Sequence, residues 1–366
     1  MADTERMELM GERLADVCRA FSLKGTLLSA EPFGNGHING TFRIVTEENG
    51  LRHTYIVQRI NDRVFRDPNG VMENIAAVTA HLWKKGITTI RFYQNPADET
   101  YVAKIGGEYW RVEDCLPGES FDAADDPAIL RNSGQAFGRF INALSDIDVS
   151  ALHETIPAFH DTASRFEALS EAKKADVSGR SASSREELRL FEERREKACL
   201  VAEAANAGKL PVRVTHNDTK FNNVIMDPLT KEAVAVIDLD TVMPGTLLFD
   251  YGDAIRFLSN TAAEDEADLS GVHFDIERFR LFSEGFLKEV RVTLTESERR
   301  LLPYAPFDAT MECGARFLTD YLSGDTYFKT AYPEHNLIRA RNQLALAMDM
   351  ERHEEEIISV IGEILK

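Results

Sequence analysis

The residues best placed to do chemistry stand in Thr215-His216-Asn217-Asp218-Thr219-Lys220-Phe221-Asn222-Asn223 and in Val236-Ile237-Asp238-Leu239-Asp240. Asp218 follows a short β-prone run, Val212-Arg213-Val214. Asn223 comes where the chain enters a second one, Val224-Ile225-Met226. Asp227-Pro228 turns the chain back, and Asp238 lies at the end of the return run Ala233–Leu239. That hairpin returns Asp238 to the neighbourhood of Asn223, so two oxygen ligands meet one further carboxylate. Phosphoryl transfer uses such a set: Asp218 to accept the proton of an acceptor hydroxyl, and Asn223 and Asp238 as hard oxygen ligands for Mg²⁺ bridging nucleotide phosphates. His216 reads as a packing and hydrogen-bonding support for the loop. A polar hairpin with turn-forming Asn and Asp explains the residue types. It does not explain H-x-D-x-x-x-x-N joined at fixed spacing to a hydrophobic strand ending in Asp.

These side chains need elements to hold them. Apolar Met7, Leu9, Met10, Leu14, Val17 and Phe21 recur at mostly helical spacing, which predicts a helix over 5–21. Strands are predicted at Leu27–Pro32, Thr41–Thr46, Tyr55–Ile60, Ile87–Tyr93, Tyr101–Ile105 and Tyr109–Cys115, with Gly106-Gly107 as a tight turn. A helix over Asn69–Lys84, capped by Asp67 or Asn69, interrupts them. Beyond Asp126 the helical period dominates: Ala128–Leu144, Ser184–Ala207, Asp275–Val290, Glu296–Tyr304, Thr310–Leu322 and Asn336–Ile364. The hairpin carrying Asp218 is a β-like island in this helical part. The plan is a small β-rich lobe, a crossover near residues 112–118 and a larger helical lobe, with the ligand expected in the cleft between them.

The composition narrows the function. A chain of 366 residues is long enough for two lobes, and its 43% hydrophobic and 28% charged residues are ordinary for a globular enzyme. A formal net charge of −19 repels nucleic-acid backbones and anionic lipid, so neither nucleic acid nor membrane is an expected partner. No run has the length of a membrane span or a signal-peptide core, and a cytoplasmic location is expected. Cys18, Cys115, Cys199 and Cys313 form no C-x-x-C pair and read as free thiols. Nothing in the sequence demands an obligate protein partner.

The stretches EPFGNGHINGTF (31–42), RVTHNDTKFNNVIMD (213–227), AVIDLDTVMPGTLLFDYGDAIRF (235–257), MECGARFLTDYLSGDTYF (311–328) and YPEHNLIRARNQ (332–343) resemble the aminoglycoside phosphotransferase-like kinases, and most closely their N-acetylhexosamine 1-kinase branch. The resemblance runs over nearly the whole chain. It implies an α+β, bilobal, protein-kinase-like fold, with an N-lobe over 1–113 and a helical C-lobe over 114–366. It also implies ATP and Mg²⁺ as cofactors and a sugar substrate phosphorylated at its anomeric hydroxyl.

Position by position, Asp218 matches the family's catalytic aspartate, and Asn223 and Asp238 its metal ligands. Asp240 shares a face with Asp238 if the strand continues, and is the second choice as a ligand. Asp250 resembles the aspartate that buttresses the catalytic loop, a role compatible with capping a helix. Gly34 and Gly36 let backbone N–H groups approach phosphate, although a plain hairpin turn uses the same residues. His37, Arg316 and Tyr327 are implied to face the sugar. Kinases place a lysine on the third strand, whereas this chain has Gln58 there, with Arg59 on the opposite face. Glu73 is the candidate helix partner of that position, or else a first-turn residue favoured by the dipole. The crossover, including Asp114 and Leu116, is implied to line the base pocket through its backbone. Kinases for aminoglycosides, homoserine or amino alcohols, and a nucleotide-binding pseudokinase, are the competing readings.

Overall fold

The computed structural model describes residues 2–34, 38–121 and 125–366. The chain forms two compact units. The first comprises Met1–Gly118 with two later segments, Ser150–Ile156 and Leu239–Met243; the second comprises Glu119–Val149, Pro157–Asp238 and Pro244–Lys366.

The first unit is a five-stranded sheet, β1 (Thr26–Pro32), β2 (Gly40–Glu48), β3 (Leu51–Ile60), β4 (Ala103–Ile105) and β5 (Glu108–Asp114), in the order β1-β2-β3-β5-β4. Neighbouring strands run antiparallel throughout. Period-two alternation sorts its side chains onto two faces. On one, Ile44, Tyr55, Val57, Trp110 and Val112 pack with Leu14 and Val17 of helix α1 (Ala2–Ala20) and with Phe21 just beyond it. Each such buried apolar side chain contributes about 1.5–3 kcal/mol. The other face carries Gln58 and, directly opposite it in the register, Arg111. It looks toward helix α2 (Pro68–Lys84), where Arg111 Nη1 lies 3.5 Å from Met72 Sδ. Asp67 caps α2 by accepting from the Gly70 N–H.

The strand expected at Ile87–Tyr93 is not formed. Only Phe92 makes an isolated bridge, to Glu113, flanked by Tyr93 N to Val112 O and Asp114 N to Arg91 O, each 2.9 Å. β4 takes the rest of that edge of β5, pairing with Glu108–Trp110, which leaves no room for a longer ladder. The strand expected from Tyr101 begins only at Ala103.

Asn74 of α2 holds both later segments of this unit. Its Nδ2 donates to the carbonyls of His153 (2.8 Å) and Val242 (2.9 Å), and its Oδ1 accepts from the His153 N–H at 2.8 Å. Glu73 turns to the exposed His153, 2.6 Å away, and takes no part on the Gln58 face.

The second unit is mainly helical: α3 (Pro127–Ala143), α4 (Thr162–Ala175), α5 (Arg185–Ala198), α6 (Leu200–Asn206), α7 (Leu247–Leu258), α8 (Ile276–Val290), α9 (Glu296–Leu301), α10 (Ala305–Leu322), α11 (His335–Arg352) and α12 (Glu354–Ile364). Between α6 and α7 come β6 (Arg213–Thr215), β7 (Val224–Met226) and β8 (Ala233–Val236). The sequence pattern ran α5 into α6 and α11 into α12; the chain breaks at Cys199 and His353, each of which closes one helix and opens the next. α4 was marked in the sequence only by the cap residues His160-Asp161, and α7 only by Asp250 as a candidate cap. α3 and α8 pack backbone against backbone. A Cβ on Gly134 would stand 2.1 Å from Phe282 O, and one on Gly285 2.0 Å from Arg131 O. All four cysteines are free, Cys18 and Cys199 being buried. Among the described residues no helix is long and apolar enough to cross a membrane.

Candidate active site

β6 delivers the chain to a buried loop. Val214, Thr215 and His216 are at most 1% exposed, and Asn217 is 5% exposed. His216 Nε2 meets Ile237 O at 2.9 Å, and its Nδ1 accepts the Asp218 N–H at 3.3 Å. A ring that donates at one nitrogen and accepts at the other is neutral. Burial accordingly holds its pKa below the ordinary histidine value. The rings of Phe137 and Phe140 stand edge-on to it, 5.6 and 5.8 Å away. His216 is therefore the support that its setting in the sequence suggested.

Asp250, from α7, grips the loop backbone. Its carboxylate accepts the N–H groups of His216 and Asn217, both at 2.7 Å, while its carbonyl accepts the Thr219 hydroxyl at 2.6 Å. Complete burial lifts its pKa to about 7 against the pull of those two donors. The cap of α7 is Thr246 instead, so Asp250 is committed to the loop.

Asp218 emerges partly exposed. Lys220 Nζ lies 2.8 Å from its Oδ1, and Asn223 Nδ2 lies 3.3 Å from its Oδ2 and 2.8 Å from its carbonyl. The carboxylate beside Lys220 drives the pKa of that ammonium up, so it stays charged. β7 and β8 pair Val224 with Val236, and the next N–H, from Ile237, donates to Asn223 O at 2.9 Å. This register places Ile237, the residue before Asp238, beside Asn223. The strand does not continue to Leu239, however. β8 ends at Val236, Asp238 adopts φ +58°, and Leu239–Thr241 forms a 3₁₀ turn. Asn217 also has positive φ, at 64°. Two non-glycine residues in the left-handed region, one on each side of Asn223, concentrate backbone strain at this site.

The end of strand alternation separates the two candidate metal carboxylates. Asp238 is exposed. Asp240 is 4% exposed at its side chain, pairs with Arg111 Nη1, and accepts Asn39 Nδ2 at 2.6 Å. An amide oxygen and one accessible carboxylate suit a small hard cation that keeps water and phosphate oxygens as its other ligands. Asn223 and Asp238 fit Mg²⁺ in this way.

Two residues missed in the sequence join this constellation. Lys220 orients Asp218. His160 ties the loop to α10: its Nε2 meets Asn217 O at 2.9 Å and its Nδ1 meets Glu312 Oε2 at 2.9 Å. Burial opposes a charge on His160, but the Glu312 carboxylate and its hydrogen bond raise the pKa to about 9. His160 is therefore a cation at neutral pH. Its signal in sequence was only a histidine before the Asp161 helix cap, which bonds Ser164 N as such caps do. A group raised from 6.5 to about 9 on folding stabilises fully below pH 6.5, and that stabilisation is lost as pH rises through 9. The contribution is roughly 3 kcal/mol. Thermal melts of His160→Gln are expected to fall less steeply between pH 7 and 10 than those of the unmodified protein; parallel curves would show that His160 is neutral.

Of the residues assigned to substrate, Arg316 and Tyr327 are brought together. Arg316 lies 3.8 Å from Glu312 Oε1 and over the rings of Phe159 and Phe328, and the Tyr327 ring stands edge-on to that of Phe328, 4.8 Å between centroids. His37 and Gly36 lie outside the described residues. Gly34, at φ +74°, adopts the conformation a phosphate-approaching loop needs. Gln58 has both ends of its amide engaged: Oε1 by Arg111 at 2.8 Å and Nε2 by Thr41 at 3.3 Å. Asp114 accepts Tyr93 Oη at 2.6 Å, and Leu116 is half-buried.

A small antiparallel-sheet unit, a helical unit and a loop presenting Asp218, Asn223 and Asp238 define a phosphotransferase of protein-kinase-like fold. The profile of the phosphotransferase enzyme family (APH) matches residues 29–282, and the chain belongs to that family. It is thus a small-molecule phosphotransferase. Solved structures agree in fold. The aminoglycoside phosphotransferase of Alicyclobacillus acidocaldarius subsp. acidocaldarius superposes with a TM-score of 0.61 at 12% identity, over 92% of this chain and 93% of that one. The GDP complex of aminoglycoside 2'-phosphotransferase-IIIa gives 0.60 at 14% identity, over 90% and 96%. Choline kinase from Cryptosporidium parvum Iowa II gives 0.55 at 13%, over 92% and 93%.

Proposed function

We propose that the protein transfers the γ-phosphoryl group of ATP to the anomeric hydroxyl of an N-acetylhexosamine, giving the sugar 1-phosphate. The Asp218 carboxylate takes the hydroxyl proton as the sugar oxygen bonds to the γ-phosphorus. The bond from that phosphorus to the β,γ-bridging oxygen breaks, and ADP leaves with the electron pair. Transfer is direct and in line, with no phosphoenzyme. Asn223 and Asp238 would hold Mg²⁺, which supplies charge neutralisation on the phosphates. Use of a nucleotide is supported by relatives solved with GDP or ADP.

The observation that carries the acceptor assignment is Arg316. It is joined to the catalytic loop through Glu312 and His160, which bonds the carbonyl of the residue before Asp218. An arginine fork with an aromatic neighbour suits hydroxyl and carbonyl oxygens and opposes a cationic acceptor. Choline kinase and a microcompartment-associated aminopropanol kinase share the fold, so an amino-alcohol acceptor is the second reading. ADP release measured across N-acetylhexosamines, amino alcohols and aminoglycosides separates the two. Arg316→Lys is expected to raise the sugar KM about tenfold or more while leaving the ADP Kd unchanged, since a bidentate contact is lost. Turnover of amino alcohols without turnover of any sugar would remove the assignment.

A further inference from the structure

The first unit has neither the strand lysine nor its helix glutamate partner, because Gln58 occupies the one place and Glu73 turns to His153. It nevertheless contains a buried ion pair on the same sheet face. Arg111, opposite Gln58 on β5, pairs with Asp240, and their side chains are 2% and 4% exposed. The guanidinium is enclosed. Gln58 Oε1 accepts its Nε–H at 2.8 Å, Met72 Sδ lies 3.5 Å from Nη1, and the Phe92 ring centroid lies 5.4 Å from Cζ. A side chain so covered is not built to receive a phosphate. What it does hold is protein. Asp240 accepts Asn39 Nδ2 at 2.6 Å, and Asn39 Oδ1 accepts the Asn61 N–H at 2.9 Å. Asn39 directly precedes β2, and Asp240 sits in the turn directly after Asp238.

We propose that Arg111 is a positioning residue which, through Asp240, fixes both the turn that sets Asp238 and, at Asn39, the entry to β2, replacing the usual lysine–glutamate pair. Asp240 is then an anchor and Asp238 the metal carboxylate. Burial favours this division: Arg111 and Asn39 occupy Asp240 out of reach of solvent, whereas Asp238 is exposed. The left-handed backbone of Asp238 needs a neighbour that over-determines it, and the anchored 3₁₀ turn is that neighbour.

The inference rests on the nucleotide-dependent phosphotransferase reading but not on the identity of the acceptor. Its test uses the full chain with Asp240→Asn, Arg111→Gln and the double variant Arg111→Gln/Asp240→Asn, in which no buried charge is left alone. Mn²⁺ binding in the presence of ADP is followed by electron paramagnetic resonance, alongside kcat, acceptor KM and the melting temperature of the metal-free protein. The double variant is expected to melt near the unmodified protein. Its Mn²⁺ affinity and kcat are expected to fall about 10–100-fold, the usual loss when support behind a metal ligand is removed, with acceptor KM unchanged. Amide exchange at residues 239–242 of the metal-free double variant is expected to quicken. A double variant with unaltered Mn²⁺ affinity and kcat would reduce the pair to charge balance in the core and overturn the proposal. So would a shift confined to acceptor KM. If the double variant does not fold, Arg111→Lys, which keeps the charge but not the fork, is measured in the same way: the same losses support the proposal, and unaltered Mn²⁺ affinity and kcat overturn it. Failure of the unmodified protein to bind ADP would instead overturn the phosphotransferase reading beneath the inference.

Discussion

Replacing Asp218 by Asn is expected to lower kcat by roughly 10²–10⁴-fold, the range general-base catalysis supplies, while the Kd for ADP changes little. The substitution is nearly isosteric and leaves the loop's principal supports in place, since these act elsewhere: Asp250 on the N–H groups of His216 and Asn217, and His216 on Ile237. Lys220, 2.8 Å from the native carboxylate, loses its ionic partner. Its partly exposed side chain limits the structural consequence of that loss. Single-turnover ADP formation and calorimetric ADP binding separate the two effects. Unchanged turnover would remove Asp218 as the proton acceptor.

Asp250→Ala is expected to be the more destructive substitution for the fold. Two buried backbone N–H groups would lose their acceptor, at about 1–3 kcal/mol each, and the site is wholly enclosed. The loop that presents Asp218 and Asn223 would lose its side-chain attachment to α7, although the main-chain carbonyl of residue 250 would still accept the Thr219 hydroxyl. Denaturant unfolding should show the loss of stability, and kcat should fall even well below the melting temperature. Asp250→Asn, whose one amide oxygen can replace only one of the two acceptors, is expected to lie between. If Asp250→Ala kept full activity, the loop would be held by other contacts.

Much of this was legible in the residues. The sheet, α1, α2 and the catalytic hairpin all follow from alternation, helical spacing and turn chemistry, because each buries a regular apolar stripe. The spacing of Asp218, Asn223 and Asp238 is local, and a hairpin's register could be read from it. What escaped depends on distant packing. The run Ile87–Tyr93 has strand composition, but β4 competes for the same edge of β5. α7 has no one-sided apolar stripe to announce it, because its residues are buried almost throughout. The ion pairs of His160 and Arg111 had no local signal, since their partners Glu312 and Asp240 are remote in sequence. Whether Asp238 and Asp240 share a face turned on whether a strand continued, and the strand ends at Val236, before the positive φ of Asp238.

The bare meeting of α3 and α8 has a consequence for catalysis. Gly134 and Gly285 let the two main chains touch, and α3 also carries Phe137 and Phe140, whose rings brace His216. A methyl group at either glycine must push α3 outward, and the rings travel with it. Drift at a crossing with no catalytic group would then reach the imidazole that holds Asp218's backbone. The tolerance of the active loop is thus partly written in two positions whose contribution is the absence of a side chain.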